Sequence, residues 1–421
     1  MTNSVTLRRF PFPFRAALTI CSDIDETENS AEFLAIQQFL NTTDPTSMGR
    51  GVGLEIGNSF YFYDDQREFS YFTGDRHAPE IIVELVRAGY LDVLHSYGDA
   101  ANSRDKIQHA LDELARNDCR IEVWVNHRGA RSNVGGKFDH LLKRGEGDIP
   151  GSATYHTDHT VPFGIRYAWV GATTRVIGQD IGNRSQIGLR TVWDGNYQKA
   201  SAVAMFEEGR KGLLGRLGDK RYRLHRSNRL TRPMRLRDGQ QVHEFQRFGN
   251  YPQRSEVGGT SAGLAYMISA ENLNKLIERQ GYSIVHAHFG KNDGASGVVA
   301  PATRRALHHL ADMQRDGVIY VTTTAKLLNY YTKWRYLDFS AEVDPQTEFA
   351  RIKINGVQDP VSPNQSLAYQ SLQGMTFYVP RADRAEIWIK NRQLDRLQRN
   401  PPDHTGRASV SIPIQRLSYP F

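Results

Sequence analysis

The chain has 421 residues, 39% hydrophobic and 24% charged, the balance of a globular protein and too long for one minimal domain. No run approaches the roughly 18–20 apolar residues that span a bilayer, and two cysteines, Cys21 and Cys119, exclude a disulfide framework and suit a reducing compartment. The formal charge is +7. Much of the excess falls between Arg210 and Arg237, with Lys220, Arg221, Arg223, Arg226, Arg229, Arg232 and Arg235. Such a run is either a solvated face, a site for the phosphates of a sugar nucleotide or lipid-linked sugar, or a peripheral membrane contact. No recognition module accompanies it, so no nucleic-acid partner is expected. Met1 to Phe14 has two arginines followed by Pro-Phe-Pro-Phe and lacks the apolar stretch of a secretory signal, so a cytoplasmic location is expected.

Ala16 to Cys21 is a short apolar, β-branched run that ends in polar residues, and it predicts a buried strand delivering Ser22, Asp23 and Asp25 to its C-terminal end. Helical periodicity follows over Ala31 to Leu40, then a strand over Ser59 to Tyr63 and a helix over Pro79 to Ala88. Leu91 to Leu94 reads as a strand ending at His95, Ser103 to Arg116 as an amphipathic helix, and Ile121 to Val125 as a strand ending at Asn126 and His127. Ile165 to Val170 predicts a further strand, and Gly171 to Gly215 reads as an insertion of weak periodicity. Ala270 to Gln280 is helical, Ser283 to Val285 is a strand ending at His286 and His288, Pro301 to Asp316 is helical, and Val318 to Thr322 is a strand. Short strands alternating with helices predict an α/β fold with a mainly parallel sheet.

From about Leu337 the pattern changes to short strand-like segments, Phe349 to Ile354, Met375 to Tyr378, Ala385 to Ile389 and Ala408 to Ile412, separated by turn residues. This predicts a small all-β module over 337–421 behind a larger domain over 1–336. Its aromatics Tyr369, Phe377, Tyr378 and Trp388 are either a sugar platform or core.

Strand residues i and i+2 point to one side, so a strand-end Asp-x-Asp aims two carboxylates into one site, where their repulsion calls for a divalent cation. The competing reading makes Asp25, with Glu26 and Glu28, the N-terminal cap of the next helix. His95, His127 and His288, each just after a predicted strand, shift the balance. An Asp/His/His set suits Zn2+ or a similar metal with open positions.

Ala17-Leu-Thr-Ile-Cys-Ser-Asp23-Ile-Asp25 resembles the first motif of the NodB-type polysaccharide deacetylase superfamily (carbohydrate esterase family 4 and relatives), in its branch with a split Asp-x-Asp. Val93-Leu-His95-Ser-Tyr-Gly98 is similar to the second motif, Val285-His-Ala-His288-Phe-Gly290 to the late histidine motif, and Gly317 to Thr324 to the closing strand. The resemblance covers roughly Phe10 to Tyr331, weakly in the middle third. It implies a distorted NodB-type (β/α) barrel that removes an N-acetyl or related acyl group from a sugar, with Asp23 as general base, Asp25 and His95 as ligands, and His288 as general acid.

One departure matters. The second motif of that family carries two histidines about four apart, whereas here His95 is followed by Asp99. The remaining ligand is then expected to be His127, with His156 or His159, spaced i, i+3, as alternates. His308 and His309 fall inside a helix and read as packing or exposed. Asn126, Arg128, Arg131 and Asn133 beside His127, and Arg247 and Arg254 flanking Phe248-Gly-Asn-Tyr251, are candidate substrate residues. The expected substrate is an N-acetylated sugar, nucleotide- or lipid-linked, from surface-polysaccharide (O-antigen-like) assembly. The competing readings are a metal-dependent phosphoesterase and a carbohydrate-binding protein that keeps the barrel but has lost catalysis.

Overall fold

The computed structural model describes residues 4–64, 68–127, 129–135, 145–181, 198–219, 222–249, 260–291, 299–363 and 367–421, with only the backbone at 198–205 and 207. Two compact units divide the chain. One comprises Leu18–Met313, Val321–Ala325 and Leu417–Phe421, and the other Met1–Ala17, Gln314–Tyr320 and Lys326–Arg416.

The larger unit is mixed α/β. Its sheet runs in the order Thr231–Arg235, Gln241–Phe245, Tyr167–Trp169, Val123–Val125, Leu91–His95, Asn58–Phe60, Ala16–Asp23, Tyr282–His288, Arg247–Phe248, Thr173–Thr174. The pairings through Tyr167–Trp169, Val123–Val125, Leu91–His95, Asn58–Phe60 and Ala16–Asp23 are parallel. Arg247–Phe248 is parallel to both Tyr282–His288 and Thr173–Thr174. Only three residues separate Trp169 from Thr173, yet their strands stand far apart in this order. The sheet therefore curls back on itself, as a distorted barrel does. All eight residues of Ala16–Asp23 are buried, which explains why that strand reads as a continuous apolar run instead of an alternation.

The flanking helices follow from local chemistry. Asn29 caps Ser30–Asn41 by accepting from the amides of Ala31 and Glu32, Pro79 opens Ala78–Ala88 and Gly89 ends it in a left-handed conformation, and Ser103 caps Arg104–Arg116. Ile81, Ile82, Leu85 and Val86 of the second helix and Ile107, Ala110, Leu111 and Leu114 of the third face the sheet and join the main core.

The predicted strands and helices of the α/β region all occur, with ends shifted by a few residues. The hairpin Thr231–Arg235/Gln241–Phe245 begins in the basic stretch and ends just beyond it, where no strand is expected from the sequence. Of the expected insertion, 182–197 lies outside the described residues, and 198–216 forms a helix.

The second unit contains two four-stranded sheets. One has the order Leu337–Val343, Ala350–Val357, Ala385–Ile389, Arg392–Gln393, and the other Thr6–Leu7, Thr376–Tyr378, Ser409–Ser411, Gln398–Asn400. It differs from the expected all-β module over 337–421 in its make-up. The N-terminal strand Thr6–Leu7 pairs with Thr376–Tyr378, Arg8 forms an ion pair with Asp403 at 2.9 Å, and most of the helix Thr324–Tyr336 belongs to the unit. Phe377 is buried as core.

Candidate metal centre

Parallel pairing places the C-terminal ends of successive strands side by side, and there the polar residues gather. Asp23 ends its strand and Asp25 follows two residues on. His95 ends Leu91–His95, His127 lies just past Val123–Val125, and His286 and His288 close Tyr282–His288. Gly290 lets the last of these segments approach the first. A Cβ there would meet Thr27 Oγ1 at 2.5 Å and the Asp25 carbonyl oxygen at 3.0 Å.

Asp25 is ringed by imidazoles. His95 Nδ1 lies 3.5 Å from Asp25 Oδ1, while His127 Nε2 and His288 Nε2 lie 3.6 and 3.5 Å from Oδ2. Asp25, His95 and His127 form one group able to hold a metal ion, and Asp23, His286 and His288 form another. The first fits a cation well. Asp25 Oδ1 is buried without a hydrogen-bond partner, and donors about 2 Å from a tetrahedral ion stand roughly 3.3 Å apart, close to the separations seen.

The two neighbours of this group are fixed from behind. His127 Nδ1 donates to Asp99 Oδ1 at 2.6 Å, which turns Nε2 toward Asp25. The backbone of His127 is gripped by Asn133, whose Oδ1 accepts from the His127 amide at 2.9 Å and whose Nδ2 donates to the His127 carbonyl. Ser59 Oγ lies 3.3 Å from His95 Nδ1 and accepts from the Ile24 amide at 3.0 Å, linking the His95 and Asp23 strands. The Tyr61 ring stacks on His95, with centroids 5.7 Å apart.

Asp23 has a different environment. Arg247 donates to both of its oxygens, at 2.8 and 3.0 Å, and His286 Nε2 donates to Oδ2 at 3.2 Å. The Arg247 guanidinium lies over the Trp169 ring at 4.4 Å, and Trp169 stacks loosely on His286. Burial pushes the Asp23 carboxyl up, but the Arg247 guanidinium, with His95 and His286 behind it, holds it well below the usual carboxylate range. Burial likewise acts upward on Asp25, and hydrogen bonds from His127 and His288 bring it well down. Both carboxylates are therefore ionised at neutral pH. Burial drives His95 down to about 4, whereas the Asp25 and Asp99 carboxylates outweigh burial at His127 and lift it to about 10.

The expected residues thus separate. Asp23, Asp25, His95, His127 and His288 come together, and His127 stands where the departure at Asp99 left a vacancy. His156 and His159, the alternates, are not in the cluster. His156 is buried with Nδ1 on Thr160 Oγ1 at 2.8 Å and Nε2 on the Ser132 carbonyl at 2.7 Å, so both ring nitrogens are engaged structurally. His159 sits at the surface beside Arg104 and Asp158.

Arg247, expected to meet substrate, is fully buried and serves Asp23 instead. Asn126 spends its amide on Trp124 Nε1, the Val134 amide and the Val134 carbonyl, and Asn133 braces His127. Arg131 pairs with Glu146 at 2.9 Å on the surface. Arg128 and Arg254 lie outside the described residues.

Three site residues were not picked out from the sequence. His286 shares the i, i+2 spacing with His288 that singled out the aspartates, and that signal would have found it. Asp99 was visible only as a missing histidine. Lys291 brings its ammonium 3.6 Å from Asp25 Oδ2 and 3.5 Å from Glu26 at the rim, with no sequence signal beyond its place after Gly290. Comparison with protein-family models, curated proteins and solved structures found no match for the chain.

Proposed function

We propose that this protein is a metal-dependent hydrolase that removes an N-acetyl group from a sugar, on a distorted NodB-type barrel with Zn2+ as its cation. The reading is carried by the unequal treatment of two carboxylates two residues apart. A guanidinium clamps Asp23, and imidazoles ring Asp25. That is the division expected of a base and a ligand.

Held by Asp25, His95 and His127, a divalent cation supplies Lewis-acid polarisation of the acyl carbonyl and of water. Asp23 takes the proton of the attacking water. Arg247 fixes the plane of its carboxylate and keeps it ionised, which a base at neutral pH requires. His288, with Nε2 3.5 Å from Asp25 and 3.9 Å from Asp23, delivers a proton to the departing nitrogen. Without that proton the leaving group would be an amide anion, a very poor one. Lys291 adds a positive charge at the rim, suited to an oxyanion or an acidic substituent.

The substrate proposed is a nucleotide- or lipid-linked N-acetylated sugar of surface-polysaccharide assembly, met in the cytoplasm. The basic residues between Arg210 and Arg237 suit its phosphates. Acetate release from a panel of N-acetylated sugar nucleotides and lipid-linked sugars, by metal-loaded wild type and Asp23→Asn, tests this. Release by wild type and loss of nearly all of it in the variant is expected. Equal release from both proteins, or release from neutral oligosaccharides alone, overturns it.

A two-metal phosphoesterase is the second reading, favoured by the donor group Asp23, His286 and His288. Against it stands Arg247, which already neutralises Asp23 and would repel a second cation. One bound metal per chain and no hydrolysis of a phosphodiester probe favour the deacetylase. Two metals with phosphodiester hydrolysis favour the alternative.

A further inference from the structure

The helix Gln198–Arg216 packs one side inward and leaves another exposed. On the inner one, Glu208 accepts from Thr174 Oγ1 and the Arg175 amide at 3.2 Å each, and Lys211 Nζ donates to the Thr173 carbonyl at 3.1 Å. Gly215 packs so closely that a Cβ would meet the Tyr222 carbonyl oxygen at 2.5 Å. The next helix, Arg223–Ser227, docks on the same strand, with His225 Nε2 2.8 Å from the Thr173 carbonyl. Thr173 is in turn the register partner of Arg247, the residue that clamps Asp23. The helical pair is therefore anchored one strand away from the arginine that clamps the candidate base, and three strands along the sheet from Asp23 itself.

The outer face is different. Residues 206, 209, 210, 213, 216 and 217 recur at helical spacing and are all exposed. Among them Phe206 is 73%, Leu213 57% and Leu217 75% accessible. They are three of the seven exposed large hydrophobic residues among those described, gathered on one helical stripe instead of scattered. Gly209 and Gly212 have open space where a side chain would stand. Arg210 and Arg216 share the stripe, and Arg223 and Arg226 of the next helix are exposed beside it.

We propose that this face, Phe206, Leu213 and Leu217 with Arg210, Arg216, Arg223 and Arg226, seats on an anionic lipid bilayer surface. Phe206, Leu213 and Leu217 enter the acyl boundary while the arginines interspersed with them bury their stems and meet lipid phosphates. No helix among the described residues is long and apolar enough to cross a membrane, so the contact lies in the interface plane. A second copy of the chain is the poorer occupant, since two such faces would bring like charges together. The inference stands apart from the proposed deacetylation, because lipid binding is read without turnover. If both hold, the site is brought to where a lipid-linked sugar resides.

Sedimentation of the full chain with vesicles tests it, using phosphatidylcholine alone and phosphatidylcholine with about a third phosphatidylglycerol. Wild type is expected to pellet with the anionic vesicles and to be released by salt. Phe206→Ser/Leu213→Ser/Leu217→Ser should lose binding by roughly tenfold or more, and Arg210→Glu/Arg216→Glu should lose the preference for anionic lipid. All these residues are exposed, so thermal melts should match wild type; Leu217→Ser alone repeats the comparison if the triple variant melts early. Wild type left in the supernatant with both vesicle types overturns the proposal, as does a triple variant that pellets like wild type. So does a wild-type dimer in solution that the triple variant splits while no vesicle is bound.

Discussion

Asp99 Oδ1 accepts a 2.6 Å hydrogen bond from His127 Nδ1, and through it a residue four positions after His95 orients a candidate ligand that comes from the next strand. The second histidine of the resembled motif is absent, yet the residue at that position contacts a member of the candidate metal group. A carboxylate behind a ligating imidazole sets its tautomer and raises its basicity. Asp99→Asn should therefore leave the fold intact and weaken divalent-metal binding by roughly 10–100-fold. Competition titration with a chromogenic chelator measures this. Unchanged affinity would mean that Asp99 does not position His127.

The pair Asp23–Arg247 yields a prediction of opposite character, about stability. Both side chains are buried, and Arg247 donates to both carboxylate oxygens. Removing one member strands the other charge in the interior. Arg247→Ala is expected to cost about 3–5 kcal/mol in chemical denaturation, and to abolish the proposed deacetylation along with it. The double variant Asp23→Asn/Arg247→Met should recover part of that stability while staying inactive, because no uncompensated charge is left. Equal losses in the single and double variants would show that packing of Arg247 on Trp169, and not the ion pair, dominates.

Arg247 also shows where sequence reading stops. Its strand is two residues long, too short for any periodicity, and only the curled sheet brings it 224 positions back to Asp23. From the sequence it looked like a loop cation available to substrate. His156 failed for a related reason. Its i, i+3 spacing to His159 suggested a shared helical face, but His156 lies just before the helix Thr157–Phe163 and packs inward between Tyr97 and Trp124. Asp23, Asp25, His95, His127 and His288 were legible because buried parallel strands are unmistakably apolar, so a polar residue at the end of one stands out. The C-terminal boundary was not, since Thr6–Leu7 joins its sheet from the other end of the chain.

The turn after His95 is an unusual stretch of backbone. Ser96, Tyr97 and Gly98 all have positive φ, 53°, 61° and 93°, a conformation that costs free energy at the two non-glycine positions. It swings the chain so that Asp99 follows at once. A Cβ on residue 98 would fall 1.8 Å from the Tyr63 carbonyl oxygen. Gly98→Ala should thus destabilise by at least about 2 kcal/mol and weaken metal binding, because His95 and Asp99 flank it. Gly209→Ala offers the contrast. It lies in a helix with open space around it, and should stabilise by about 0.5–1 kcal/mol. Denaturant midpoints for the two variants should move in opposite directions, and a shared direction would refute the local account.

His156 makes acid stability a test of the interior. Burial lowers it from 6.5 to about 4, the hydrogen bond to the Ser132 carbonyl offsetting only part of that. Its pKa is thus lower folded than unfolded, so on acidification the unfolded chain takes up the proton first. The folded state loses stability as pH falls from about 6.5 toward 4, by up to about 3 kcal/mol, and no such loss from this group occurs above neutrality. His156→Gln removes the titrating group. The variant should be less stable than wild type at pH 7 by about 1–3 kcal/mol, from disrupted hydrogen bonds to Thr160 and Ser132, yet lose less on acidification. Urea denaturation of both proteins across that range, without added metal, isolates the difference. Parallel curves would mean that His156 titrates alike in the folded and unfolded chain.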